Sequence, residues 1–188
     1  MKVLLVIELQ KQFKDSFGVY EQCLQYIEEN RNQYDKVVAI IFKQNKKHNP
    51  NFSKFLDWEE CQNASEKDIE FEADSVIIKY GYTCYPELLF TEKDEIFVIG
   101  SNASTSILAT CFSLWDAGYN FHILPEYIYS LNEISKDETL RLMKQIFGKA
   151  VLFNQESSLS LLELINKKME EMFNSVISRK TEDSDSSK

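Results

Sequence analysis

The stretch from residue 95 to residue 124 reads EIFVIGSNASTSILATCFSLWDAGYNFHIL. It begins and ends with short apolar runs, at residues 95–99 and 121–124. Between these runs, residues 104–117 carry apolar side chains at spacings of three and four, which is typical of an amphipathic helix. The order strand, helix, strand predicts a right-handed βαβ unit in a parallel sheet.

The same alternation extends in both directions from this unit. Similar runs rich in Val, Ile and Phe occur at residues 3–7, 37–42, 75–78 and 151–153. These runs are continuously apolar, which is typical of strands buried on both faces. Helical spacing recurs at residues 20–30 and 135–147, the second with a predicted capping box of Ser135 and Glu138. Residues 43–72 predict a long loop with a short helix. The pattern as a whole predicts a doubly wound α/β domain over residues 1–154.

The composition excludes several classes of protein. The 188 residues include 21 basic and 30 acidic side chains, a net charge of −9, and they show no basic block. We therefore expect no nucleic-acid partner, because phosphate contacts need clustered Lys and Arg. No run approaches the roughly 20 apolar residues of a membrane span, so we expect no membrane association. Four scattered cysteines and two distant histidines, His48 and His122, predict free thiols, no zinc site and a cytoplasmic location.

The last part of the chain differs from the rest. Apolar residues from Leu159 to Val176 step by three or four, which predicts an amphipathic helix within residues 155–178. Residues 179–188 are polar and are predicted to be disordered. The apolar stripe of the helix is a candidate surface for a protein partner or for a homo-oligomer.

Candidate chemistry lies just after the predicted strands, because ligands of open parallel sheets bind at the carboxyl ends of strands. Glu8 follows the first strand and Lys79 follows the third. Gly100 is followed by a helix start rich in hydroxyl groups, residues 101–106. A helix N-terminus offers free N–H groups that favour an oxyanion. An acid, a lysine and such a helix start together predict an acyl-transfer site.

Three short motifs carry a family resemblance. Residues 6–10 read VIELQ with Phe13 nearby, residues 79–85 read KYGYTCY, and Gly100 is followed by SILAT at residues 106–110 and by Gly118. In this order and spacing, the chain resembles the isochorismatase-like cysteine hydrolases, which include nicotinamidases and other small-molecule amidases. The resemblance covers about residues 2–153 and implies a three-layer α/β/α fold with a mostly parallel, Rossmann-like sheet of about six strands.

The resemblance also implies site residues, with two departures. The family uses Asp, Lys and Cys, and at the matching positions this chain has Glu8, Lys79 and Ser106. Ser106 would be the nucleophile, Glu8 the base and Lys79 the residue that balances charge, with backbone N–H groups of residues 104–106 as the oxyanion hole. The expected pocket residues are Phe13, Tyr82, Asn102, Ser104 and Thr105.

Because a serine hydroxyl is far less acidic than a thiol, these departures predict that hydrolysis of a C–N or ester bond in a small molecule is impaired or lost. The alternative is a non-catalytic module that binds a metabolite or a protein through the same pocket or the C-terminal helix. No cofactor is expected. Residues 43–48, where nicotinamidases carry metal ligands, contain no acid, so no metal is expected either.

Other residues have plainer interpretations. The four cysteines are predicted to be small buried apolar residues, and Cys111 lies more than one helical turn beyond Ser106. His122 is predicted to be a hydrogen-bonded core histidine. Phe52, Phe55 and Trp58 are predicted to pack a loop against the domain, with lining of a pocket as the alternative.

Overall fold

The structure, a computed structural model, describes residues 1–16, 18–84, 90–130 and 133–153. Met1–Phe153 forms one compact unit. The predicted helix from Leu159 to Val176 and the polar tail of residues 179–188 lie outside the described residues. No helix in the described ranges is long and apolar enough to cross a membrane.

The unit is built on a parallel sheet of five strands in the order β3-β2-β1-β4-β5, counted over the described residues. The strands are β1 Lys2–Ile7, β2 Lys36–Phe42, β3 Ser75–Lys79, β4 Glu95–Gly100 and β5 Asn120–Ile128. β1 is central, and its Val6 lies opposite Ala39 of β2 and Ile99 of β4. The apolar runs of the sequence therefore predicted each of these strands to within a few residues.

Helices cover both faces of the sheet. They are α1 Tyr20–Asn30, α2 Asn51–Leu56, α3 Leu108–Asp116 and α4 Glu133–Phe147. Alternate residues of β1 point to opposite faces, as the period of two requires. Leu5 belongs to the apolar cluster that contains Leu114 of α3 and Met143 of α4. Leu4 belongs to the cluster that contains Ile27 of α1. The fold is therefore the expected three-layer α/β/α arrangement.

Over the described residues the sheet has five strands, one fewer than the expected number of about six. Lys149–Val151 forms a 3₁₀ turn, so Val151 has no extended backbone with which to pair. Leu152 makes a single parallel bridge with Ile123, and the Phe153 N–H donates to the Ile123 carbonyl at 2.8 Å. Residues 151–153 therefore lie beside β5 at the edge of the sheet, but they do not form a regular strand.

The predicted capping box at Ser135 was wrong. Helix α4 begins at Glu133, two residues earlier than the sequence suggested. Ser135 therefore lies inside the first turn, where its carbonyl oxygen accepts a hydrogen bond from the Thr139 hydroxyl at 2.7 Å. An N-cap residue has a non-helical backbone, which Ser135 does not have.

Candidate active site

The candidate site lies where the strand order reverses. The chain passes from β1 to β2 and β3 on one side of β1, and then to β4 and β5 on the other side. In open parallel sheets, the crevice at such a reversal is the usual ligand site. Glu8 directly follows β1, and the turn from Ser101 to Ile107 directly follows β4.

Gly100 lies where a side chain would collide with the end of β1. Its φ is +114°, a conformation that side chains disfavour, and a Cβ atom built on it would lie 2.0 Å from the Ile7 carbonyl oxygen. The same carbonyl accepts a hydrogen bond from the Ser101 N–H at 2.8 Å. Glycine at this position therefore allows the turn after β4 to lie against the end of β1.

A short π-helical turn, Ala103–Ile107, follows a cis peptide bond between Ser101 and Asn102. The N–H groups of Thr105 and Ile107 both donate to the Asn102 carbonyl, at 3.2 and 3.1 Å. The N–H group of Thr105, one of the predicted oxyanion-hole residues, therefore already has an acceptor. Ser106 is buried in this turn, whereas Ser104 is exposed.

The three predicted catalytic residues converge on a single point. The Ser106 hydroxyl donates to Glu8 Oε1 at 2.6 Å, and Lys79 Nζ donates to Ser106 Oγ at 3.0 Å. Lys79 Nζ also lies 2.6 Å from Glu8 Oε1. The three residues are only 3–7% exposed, so these contacts are shielded from bulk water. One buried carboxylate oxygen therefore contacts both the hydroxyl and the ammonium group.

The backbone holds Lys79 and Glu8 in this arrangement. The Lys79 ammonium group donates to the carbonyl oxygens of Gly81 at 2.9 Å and Tyr82 at 2.7 Å. With Ser106 Oγ and Glu8 Oε1, four oxygen atoms therefore surround the three protons of this ammonium group. Glu8 has a φ of +53°, and its N–H donates to the Ile40 carbonyl at 2.8 Å. The left-handed backbone at Glu8 turns the chain at the end of β1 while this N–H stays bonded to β2.

A cavity of about 340 Å³ opens beside the three residues. Its walls include Glu8, Ser106 and the predicted pocket residues Phe13, Tyr82, Asn102 and Thr105. Ser104 departs from the expectation, because it is exposed and is not part of these walls. Within the residues described, the buried Asn102 Oδ1 atom has no hydrogen-bond partner.

Several cavity residues were not predicted as site residues. They are Phe42, Phe52, Leu56, Trp58, Glu60 and Ser101. For Phe52 and Trp58, the spacing of aromatic residues in the loop was the feature of the sequence that indicated a role in the cavity. Phe52 and Trp58 both pack the loop and line the cavity, whereas Phe55 is 69% exposed and does not line it. No feature of the sequence indicated that Glu60 would line the cavity.

The cysteines lie outside the contacts between Glu8, Lys79 and Ser106. All four are free and buried. Burial raises the pKa of the Cys23 and Cys61 thiols to about 12, and it raises the pKa of Cys111 as well. A thiolate is the reactive form, so these environments favour inert thiols, as expected from the sequence.

The loop of residues 43–48 carries three lysines and one histidine but no carboxylate, a side-chain set with few ligands for a divalent metal ion. Lys46 Nζ forms an ion pair with Glu59 at 2.5 Å, and the His48 ring stacks on Tyr80. No group of three or more His, Cys, Asp or Glu side chains in the described ranges is placed to hold a metal.

His122 lies partly buried in β5, where its Nε2 atom is 3.1 Å from Glu95 Oε1.

Solved structures match this arrangement of strands and helices. The chain has the fold of the isochorismatase-like hydrolases. The pyrazinamidase/nicotinamidase from Streptococcus mutans UA159 superposes with a TM-score of 0.67 at 12% identity, over 81% of this chain and 100% of that chain. An isochorismatase-like hydrolase from Alkaliphilus metalliredigens gives 0.64 at 13% identity, over 86% and 98%.

A third similar structure has a different name. The MAR1 ribonuclease from Caenorhabditis elegans gives a TM-score of 0.59 at 17% identity, over 84% of this chain and 78% of that chain. No protein-family model and no curated protein sequence matches the chain. At these identities the comparisons establish the fold, and the chemistry has to be argued from the site itself.

Proposed function

We propose that this protein is a divergent isochorismatase-like hydrolase that cleaves a C–N or ester bond of a small molecule slowly, with Ser106 as the nucleophile. The observation that carries the proposal is the 2.6 Å hydrogen bond from the Ser106 hydroxyl to Glu8 Oε1. A nucleophile within hydrogen-bond reach of a base is the arrangement that covalent catalysis requires.

Each of the three residues has a distinct role in this proposal. Lys79 donates to Ser106 Oγ, so the hydroxyl proton is directed toward Glu8. Ser106 Oγ attacks the substrate carbonyl carbon as its proton passes to Glu8. Glu8 then returns the proton to the leaving amine or alcohol, and an acyl-Ser106 ester remains. Water, activated by Glu8, hydrolyses this ester and restores the hydroxyl group.

The wall around Ser106 supports recognition of the substrate carbonyl group and its neighbours. The buried Asn102 Oδ1 atom has no partner in the described residues, which leaves one free acceptor on a residue that lines the cavity. Outside the turn itself, the described residues give no backbone acceptor for the N–H groups of Asn102, Ser104 and Ser106. Asn102 and Ser106 line the cavity and Ser104 does not, so the N–H groups of Asn102 and Ser106 are the better candidates for stabilising the oxyanion.

Slow turnover is expected from the identity of the nucleophile. A thiol has a pKa of about 8.5 and yields a thiolate readily, whereas a serine hydroxyl must lose its proton during the attack itself. The base available here is a carboxylate whose Oε1 atom already lies 2.6 Å from the ammonium group of Lys79, so the serine proton must be transferred to an oxygen that is shared with this ion pair.

The decisive experiment compares Ser106→Ala with Ser104→Ala on a panel of small amides and esters. Ser104 belongs to the same turn but is exposed and does not line the cavity, so it is a matched control. We expect Ser106→Ala to reduce turnover to the uncatalysed rate and Ser104→Ala to leave it unchanged. Wild-type turnover in Ser106→Ala would remove Ser106 from the mechanism.

A second variant tests why the rate is low. Glu8→Asp/Ser106→Cys restores the acid and nucleophile that the resemblance implies for active cysteine hydrolases. We expect this variant to hydrolyse the same compounds faster than wild type and to react with iodoacetamide at the introduced thiol. If wild type binds a compound without hydrolysing it, and the double variant is also inactive, the non-catalytic alternative replaces this proposal.

A further inference from the structure

The cavity beside Ser106 has a predominantly aromatic wall. Its apolar lining residues are Phe13, Phe42, Phe52, Leu56, Trp58 and Tyr82. The rings are packed on one another, with centroid distances of 5.3 Å between Phe42 and Trp58 and 5.2 Å between Phe52 and Tyr82. Because these contacts fix the rings, the wall presents a preorganised aromatic surface to a ligand.

The charge at this wall is negative. The lining residues include two charged side chains, Glu8 and Glu60. The charge of Glu8 is balanced by Lys79, 2.6 Å away. The described residues provide no hydrogen bond or ion pair for the Glu60 carboxylate, whereas Lys46 binds the carboxylate of the neighbouring Glu59. Glu60 is exposed to solvent, and it therefore contributes one unpaired negative charge beside the aromatic rings of the cavity.

We infer that the cavity selects a small molecule with a cationic head, such as an ammonium or trimethylammonium group. Aromatic faces attract cations through their electron-rich surfaces, and a carboxylate beside them adds a Coulombic attraction. The same surroundings disfavour an anionic ligand. Glu60 would lie beside the cationic head, while the reacting carbonyl group lies at Ser106.

This inference rests on the proposed function only where it places the reacting carbonyl group at Ser106. The preference for a cationic ligand is a property of binding and does not depend on hydrolysis. It can therefore be tested apart from turnover. Acetylcholine and 3,3-dimethylbutyl acetate are suitable probes, since the second replaces the trimethylammonium group by an uncharged tert-butyl group of the same shape. Both are esters small enough for a cavity of about 340 Å³.

The test is calorimetric titration of the full-length Ser106→Ala protein, in which hydrolysis cannot interfere. We expect acetylcholine to bind about tenfold more tightly than its neutral analogue. Adding Glu60→Gln should reduce this preference severalfold, and so should Tyr82→Leu, which removes an exposed ring of the wall. Glu59→Gln is the matched control and should leave the preference unchanged, because Glu59 does not line the cavity.

Each outcome decides the question. Equal affinities, a preference for the neutral ester, or no detectable binding of either ester at millimolar concentration would overturn the inference. A preference that is unchanged in Glu60→Gln would overturn the role of Glu60. The Ser106→Ala protein could prefer the cationic ester while the wild type hydrolyses neither ester and no compound of the amide and ester panel. That result would support this inference and refute the proposed hydrolysis.

Discussion

Replacing Gly100 by alanine tests the close approach that brings the turn of Ser106 to the end of β1. The new Cβ atom would lie 2.0 Å from the Ile7 carbonyl oxygen, whereas real Cβ atoms essentially never approach closer than 3.0 Å. The two strands must therefore separate by about 1 Å, which strains the Ser101 to Ile7 hydrogen bond. The φ of +114° adds a backbone cost of about 1–3 kcal/mol. Together these effects predict a loss of about 4 kcal/mol in the free energy of unfolding.

Gly118→Ala provides the matched comparison for this measurement. Gly118 also has a positive φ, +75°, but nothing lies within 4 Å of a Cβ atom built on it. Only the cost of the left-handed backbone is expected there, about 1–2 kcal/mol. Urea denaturation followed by tryptophan fluorescence measures both variants. If Gly100→Ala is destabilised no more than Gly118→Ala, the contact with Ile7 does not constrain the fold, and the reasoning fails.

Two further predictions concern buried groups. Lys79→Met leaves the Glu8 carboxylate buried without its ion pair. It should therefore destabilise the protein by about 3–5 kcal/mol in urea denaturation, and Glu8→Gln/Lys79→Met should recover most of that loss. A double variant as unstable as the single one would contradict a coupled pair. The thiols should react slowly with a disulfide reagent at pH 8 in the native state and rapidly in urea, because all four are buried and the pKa values of Cys23 and Cys61 are about 12. One rapidly reacting native thiol would show that a cysteine is accessible and activated.

The sequence predicted the sheet well because each of its strands contains a run of apolar residues, buried in β1, β2 and β4 and half-buried in the edge strand β3. The predicted strand ends then placed Glu8 and Lys79 correctly at one edge, since the carboxyl ends of parallel strands meet there. The start of the next helix was less predictable. The sequence pattern indicated an ordinary α-helix from residue 104, whereas the structure has a π-helical turn that buries Ser106 and leaves Ser104 exposed.

The wall of the cavity was the least predictable part of the site. Trp58 and Glu60 lie on the long loop, and their place beside Ser106 depends on contacts between residues far apart in the sequence. Trp58 packs on Phe42 of β2 with ring centroids 5.3 Å apart. Hydrophobic periodicity indicates which face of a helix or strand is buried. It gives no information on which part of the domain an irregular loop packs against.

The single oxygen atom shared by Ser106 and Lys79 has an evolutionary consequence. Because Glu8 Oε1 contacts both groups at 2.6 Å, the lengths of all three side chains are coupled. Shortening the acid by one methylene, or exchanging oxygen for the larger sulfur, disturbs two contacts at once. Positions 8 and 106 are therefore expected to be epistatic, with glutamate accompanying serine and aspartate accompanying cysteine among relatives. We therefore expect the single variants Glu8→Asp and Ser106→Cys to be less active than both the wild type and the double variant.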